Sequence, residues 1–310
     1  MNKNVLAAVM FSATGWLTTP AFAAPFSFST GNPDGRLGAL SQPAGPVSLD
    51  TETADDFILG DTTAIEAATI SGLIPAGAAP SDITNVEVEV YHVFPLDSVN
   101  VASGNVPTRN NSPSDVEIGS ATRDQSRGTL SFTANVVNPD ISVASSVINQ
   151  IKKFPDQATH GDGPTSGAEV QIVVTFTPPI VLPGNHYFFR PQVQLDNGEF
   201  LYLSTQKPIA APGTPFLGDL QAWIRNSSLA PDWLRIGTDI IAGTTPPTFN
   251  MAFSLNGETI PQAGAPGKAN CKGKSVSTLA HQFGSLDTAA TTLGFSSVEQ
   301  LQDTFTEFCE

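Results

Sequence analysis

The sequence predicts a mainly β protein, an antiparallel two-sheet sandwich of jelly-roll-like form, with a small disulfide-closed α-helical unit at its C-terminal end. Three observations carry that expectation. Short runs of apolar and polar residues alternate with period two, as half-buried strands do: Val170, Ile172, Val174 and Phe176 share one parity while Glu169, Gln171 and Thr175 share the other. The 26 glycines and 25 prolines, against 14% charged residues, suit many short strands joined by turns. Beyond residue 270 the period becomes helical, and the only two cysteines, Cys271 and Cys309, bracket that stretch.

In chain order, residues 1–23 read as a secretory signal peptide, with Lys3, an apolar run from Val5 to Leu17, and Ala21-Phe22-Ala23 as a small-x-small cleavage site. That run is shorter than the ~20 apolar residues of a spanning helix, and no later stretch reaches that length. No transmembrane anchor is expected, and Ala24 at the mature start offers no cysteine for a lipid anchor. The expected location is secreted or periplasmic.

Residues 24–256 are read as the sandwich. The first part, to Asp50, is rich in Gly, Pro and Ser, carries a turn signal at Asn32-Pro33-Asp34-Gly35, and reads as an extended leading arm. Strands are predicted over 55–59, 65–73, 86–94, 130–137, 200–204, 234–240 and 249–255, around a central pair lying within 170–195. In the second member of that pair Tyr187, Phe189, Val193 and Leu195 take one face; His186, Phe188, Arg190, Gln192 and Gln194 take the other. This second face reads either as the floor of a ligand cleft or as the solvated side of the sheet. Three long polar connections, 95–128, 155–167 and 206–219, exceed ordinary loop length, so any site is expected to involve them.

Residues 257–270, rich in Gly, Pro and Ala, read as a linker, and residues 271–310 as three short helices. Ser275, Ser285 and Ser296 are predicted N-caps, and Gly284 and Gly294 stand where helices end. In an exported chain an isolated cysteine pair is most simply one disulfide, and a Cys271–Cys309 bridge would stabilise the unit by about 4 kcal/mol.

Fourteen Lys and Arg against 29 Asp and Glu leave a formal charge of −15. Such a field disfavours nucleic acid and anionic membranes and is compatible with calcium or a neutral glycan.

With the strands placed, Thr-Ala-Asp-Asp-Phe at 53–57, Val-Tyr-His-Val-Phe-Pro at 90–95 and Ala-Phe-Ser-Leu-Asn-Gly at 252–257 resemble signatures of uncharacterised bacterial exported β-sandwich proteins. Those proteins have an ADDF start and an AFxLxG end, and some carry a Pro-Glu-Pro sorting tail. The stretches at 111–116, 186–193 and 232–240 resemble the same family, so the likeness covers about residues 30 to 257. It implies a β-sandwich at the surface or outside the cell and assigns no site residues. The cysteine-bracketed end departs from the tailed members, so no anchoring follows.

The candidate chemistry is sparse. Asp55 and Asp56 offer paired hard oxygens for Ca²⁺, or a charged strand edge that discourages aggregation. Trp223 and Trp233, beside Arg225, Asp232 and Arg235, offer ring faces and bidentate donors for a sugar, with Arg190 on the central strand as a further contact. The same tryptophans also read as core. His160-Gly161-Asp162-Gly163 in a loop, or His92 or His186 with an Asp and a Ser, could serve a hydrolase. Gly-x-Ser-x-Gly, HExxH and phosphate-loop motifs are absent from the sequence. The expected function is therefore a secreted, non-catalytic binding or surface/matrix protein with polysaccharide or a cell-surface component as partner. The alternatives are an extracellular hydrolase with a loop-built site near His160 and His186, and a structural envelope or biofilm protein.

Overall fold

A computed structural model describes residues 24–45, 49–98, 106–151, 158–206, 219–260 and 264–309. The signal peptide expected at 1–23 lies outside the described residues, as do parts of the three long connections. In chain order the strands are β1 (Pro25–Ser29), β2 (Pro33–Leu40), β3 (Thr51–Ile58), β4 (Thr63–Pro75), β5 (Ile83–His92), β6 (Arg123–Asp124), β7 (Leu130–Val143) and β8 (Ser145–Val147). They continue with β9 (Thr165–Leu182), β10 (His186–Leu195), β11 (Leu201–Thr205), β12 (Trp223–Asn226), β13 (Leu234–Arg235), β14 (Asn250–Met251) and β15 (Phe253–Thr259). Three helices follow: α1 (Cys271–Phe283), α2 (Leu286–Thr292) and α3 (Val298–Cys309).

The strands form two sheets. One holds nine strands, ordered β1-β15-β4-β11-β2-β8 with β9, β7 and β14 attached; the other holds six, ordered β13-β12-β3-β10-β5-β6. All pairs are antiparallel except β2 with β8. The two central runs, β9 and β10, fall in different sheets, joined by the connection at 183–185. Their apolar parities meet between the layers: Val170, Ile172 and Val174 from β9, and Tyr187, Phe189 and Val193 from β10, are all buried there. Phe189 stacks on Phe253 of the opposite sheet with ring centroids 4.9 Å apart. Glycine is required where Phe200 crosses β4, since a Cβ on Gly72 would lie 2.0 Å from its ring.

Two segments differ from the sequence expectation. The leading arm forms two sheet strands: β1 pairs with β15 in the register Phe28↔Leu255, and β2 pairs with β11 and β8. Burial of Phe28, Leu37 and Ala39 against distant strands overrides the local turn signal. The strand expected over 234–240 stops at Arg235 and becomes a π-helical turn, Ile236–Ile241. Asp239 reaches back to accept the Arg235 backbone N–H at 2.8 Å. Gly237 there packs so closely on the Pro247 carbonyl that a Cβ would stand 1.8 Å from its oxygen.

The helical unit rests on the sandwich. Leu279, Leu293, Leu301 and Phe305 share one apolar cluster with Ala64, Val181 and Ile260 of the strands and their margin. Strand β15 continues through Gly257 to Thr259, so the connecting stretch starts later than the linker boundary drawn from composition. Cys271 and Cys309 form the expected disulfide. Ser285 caps α2 by accepting the Thr288 N–H, and Gly284 and Gly294 take positive φ as helix ends require. The other caps shift. Ser275 lies inside α1 and donates to the Cys271 carbonyl, and Ser297 rather than Ser296 accepts the Gln300 N–H.

Candidate functional site

The polar face of β10 is on the outer side of the six-stranded sheet, yet Phe188, Arg190 and Gln192 on it are buried, while His186 is partly exposed and Gln194 exposed. Residues 106–118 and 226–233 fold over it, and beneath them lies a second, charged and aromatic layer. Arg190 is 2% exposed and pairs through Nη2 with Glu52 at 3.4 Å, Glu87 at 3.7 Å and, more tightly, Glu89. Arg225 pairs with the same Glu52, donates to the Tyr91 hydroxyl at 3.0 Å and lies 4.3 Å above the Trp233 ring. Trp233 donates its indole N–H to the Ser114 carbonyl at 3.2 Å. Arg109, from the covering segment, holds Asp115 at 2.8 Å and Asp232 at 3.1 Å.

A buried charge persists only when paired, and these are. Burial alone would lower the Arg190 pKa, but the surrounding Glu52, Tyr91, Glu89 and Glu87 outweigh it and raise it. Burial, reinforced by a hydrogen bond with Glu89, pushes Glu87 up to about 7. Burial would raise Glu89 too; Arg190 and the bonds from Glu87 and Tyr91 prevail and lower it. Glu87 therefore carries the proton between the two carboxylates. Arg190, Arg225 and Trp233, expected at a ligand surface, are instead the interior of this layer.

Trp223 and Arg235 are placed differently. Both line a cavity of about 550 Å³ at the β12–β13 edge of the sheet, together with Asn110, Asn111, Asp219, Gln221 and Asn250. Trp223 is 1% exposed, so it presents no open ring face for stacking. Its indole Nε1–H has no hydrogen-bond partner among the described residues. Asn250 donates its side-chain amide to the Asp219 carboxylate at 3.2 Å, and Thr238 donates to Gln221 Oε1 at 3.0 Å. Arg235 is aligned by Asp239, whose Oδ1 lies 2.7 Å from Nη2. The polar groups of the wall are thus amides, a carboxylate and a guanidinium. Asp219, Gln221, Asn110, Asn111 and Asn250 were not singled out by sequence. The one signal for some of them was that 95–128 and 206–219 are long connections, and these supply Asn110, Asn111 and Asp219.

Asp55 and Asp56 are directed away from each other. Adjacent strand residues face opposite sides: Asp55 reaches across the sandwich to accept the Met251 N–H at 2.7 Å, while Asp56 bonds His186 Nε2 at 2.6 Å and the Leu220 N–H at 3.1 Å. Burial first, then the neighbouring Asp56, raises Asp55 well above the usual carboxylate range. Burial likewise lifts Asp56 to about 6 against the opposing pull of His186, and Asp219 adds to both. No group of three or more His, Cys, Asp or Glu among the described residues is placed to hold a metal ion.

The loop motif is occupied locally. His160 Nδ1 lies 3.0 Å from the Ile241 carbonyl, and Asp162 accepts the backbone N–H groups of Ile148 and Asn149. His92 pairs with Asp97 on the surface. None of the described helices is long and apolar enough to cross a membrane. Comparison with known protein families, with curated proteins and with solved structures finds no match for this chain.

Proposed function

We propose that this is an exported, non-catalytic binding protein for neutral sugars, with the cavity at the β12–β13 edge as its site. The observation that carries the reading is the cavity of about 550 Å³ itself, whose wall brings the Asp219 carboxylate, the Gln221 and Asn250 amides and the Arg235 guanidinium together. Sugar hydroxyls both donate and accept, and the Asp219–Asn250 pair with Gln221 and Arg235 offers both partners to them. An oxidising compartment, inferred from the disulfide and the leader, fits a partner outside the cytoplasm.

The test is to titrate the chain lacking residues 1–23 with neutral oligosaccharides and follow tryptophan emission. Gln221→Ala removes one amide from the wall at a partly exposed position, and it should weaken binding about tenfold while circular dichroism stays unchanged. No saturable response to any sugar would sink the reading. Reducing ends released during the incubation would replace it with a hydrolase built around the Asp56–His186 pair. Mass that grows with protein concentration and no sugar response would favour a structural envelope role.

A further inference from the structure

The dipeptide Asn-Gly occurs twice in the sequence, at Asn197-Gly198 and at Asn256-Gly257, each time followed by a glutamate. The backbone nitrogen after an asparagine can attack the side-chain amide carbon, and glycine, lacking a Cβ, leaves that approach open. The nitrogen reaches Cγ only if the asparagine turns out of the extended conformation. Local sequence does not separate the two pairs on this point; the fold does.

Asn256 lies inside β15, which is paired on both sides. Asn256 stands opposite Ser27 of β1 and Ala67 of β4, and Gly257 opposite Phe26 and Ile65. The β4 side carries a bulge at this step, while the β1 side runs through it without interruption. Gly257 also lies so close to β4 that a Cβ on it would stand 1.9 Å from the Ala64 carbonyl oxygen. Turning Asn256 would break both ladders. Asn197 and Gly198, by contrast, are exposed in the bend between β10 and β11. The last anchor before them is the Asp196 N–H, which donates to the Asp82 carbonyl at 2.9 Å. Gly198 takes φ +99°, and its N–H has no acceptor among the described residues.

We propose that Asn197 is a site of spontaneous deamidation in the folded protein, and that the pairing of β15 protects Asn256. The Gly198 nitrogen bonds to Asn197 Cγ, the Cγ–Nδ2 bond breaks, and ammonia leaves with the proton of the Gly198 N–H. Water then opens the cyclic imide at either carbonyl, giving aspartate or, with the main chain rerouted through the side chain, isoaspartate. Asn197, Asp196 and Glu199 line a cavity of about 600 Å³ together with Leu73, Leu195 and Leu201. The reaction therefore adds a third carboxylate to that wall. This cavity shares no lining residue with the one at the β12–β13 edge, and the inference does not depend on the ligand of either.

The test is to incubate the purified protein at mildly alkaline pH, folded and in urea, and to follow both Asn-Gly peptides by mass, each event adding about 1 Da. In the folded protein residue 197 should convert at least tenfold faster than residue 256, and in urea the two rates should agree within about twofold. Asn197→Gln should remove the acidic form that ion exchange resolves from folded samples, with an unchanged melting temperature. No conversion at residue 197 in the folded protein, equal rates at the two sites, or an acidic form undiminished in Asn197→Gln overturns the proposal. Asn256 staying inert in urea overturns the assignment of its protection to the fold.

Discussion

The outer faces of β9 and β10 begin from the same alternation and end in opposite environments. On β9, Gln171, Val173 and Thr175 stay exposed. On β10, Phe188 is buried with Trp223 and Trp233, Arg190 among Glu52, Glu87 and Glu89, and Gln192 against Gln42, Asp50 and Thr51. The strands themselves do not differ in this respect; their covers do. Period-two patterning therefore specifies the side of a sheet on which a residue lies, and says nothing of whether that side is wet. Where a cover closes, every charge beneath it must find a partner, which is why Arg190, Arg225 and Arg109 each hold carboxylates. Where it stays open, uncharged hydroxyl and amide groups suffice.

Breaking the covered face should produce the largest effect. Arg190→Ala leaves Glu89 buried without its cation and Glu52 with Arg225 alone, and is expected to cost about 3–5 kcal/mol in urea unfolding. Next comes the cover over the end of the other sheet. Cys271→Ser with Cys309→Ser opens a loop of 38 residues' separation and should weaken the helical unit by up to about 4 kcal/mol. A separate early transition in thermal melting, absent from the oxidised protein, would mark it. An unchanged melt would mean that packing on Ala64 and Val181 alone holds the unit.

The covered face should also respond to pH. Glu87 is raised to about 7 and Asp56 to about 6, and their neighbours are Glu89, Arg190 and Asp124 for the first, Asp55, Asp219 and His186 for the second. A carboxyl raised by folding binds its proton more tightly in the folded chain, so its contribution is full below about pH 4 and is lost as pH rises through the folded value. Melting temperature should fall between pH 5 and 7.5, and Glu87→Gln should flatten the upper part of that fall. A stability that climbs over this range would contradict the assignment of the proton to Glu87. The smallest effect belongs to the open face, where Thr133→Lys should stay within about 0.5 kcal/mol of the unaltered chain in the same urea assay.

Much of the fold was legible. The parities of β9, β10 and β15, the three helices with the Ser285 cap, and the disulfide all follow from near-neighbour patterns. β1 and β2 were not, because Phe28 is held by Leu255 and other residues far along the chain, while its own neighbours are the Gly, Pro and Ser of a loop. The π-helical turn after Arg235 was missed for a similar reason, since it is fixed by the approach of Pro247 to Gly237. Of the five residues singled out for ligand binding, Trp223 and Arg235 come together at the cavity, while Arg190, Arg225 and Trp233 do not. Asp219 and Asn250 carry no local signature; single polar residues in irregular segments look alike until a fold sets them side by side.

By itself, then, the sequence determined which residues of β9, β10 and β15 face the core, that short helices follow residue 270, and which cysteines meet. These are matters of spacing along a few residues, and spacing is written locally. Only the tertiary structure decided that one outer face would be roofed and the other left open, that Asp55 and Asp56 would part to opposite sides with raised pKa values, and that Trp223 would border a cavity. Those outcomes depend on the exclusion of water by segments distant in the chain, and no local pattern encodes it.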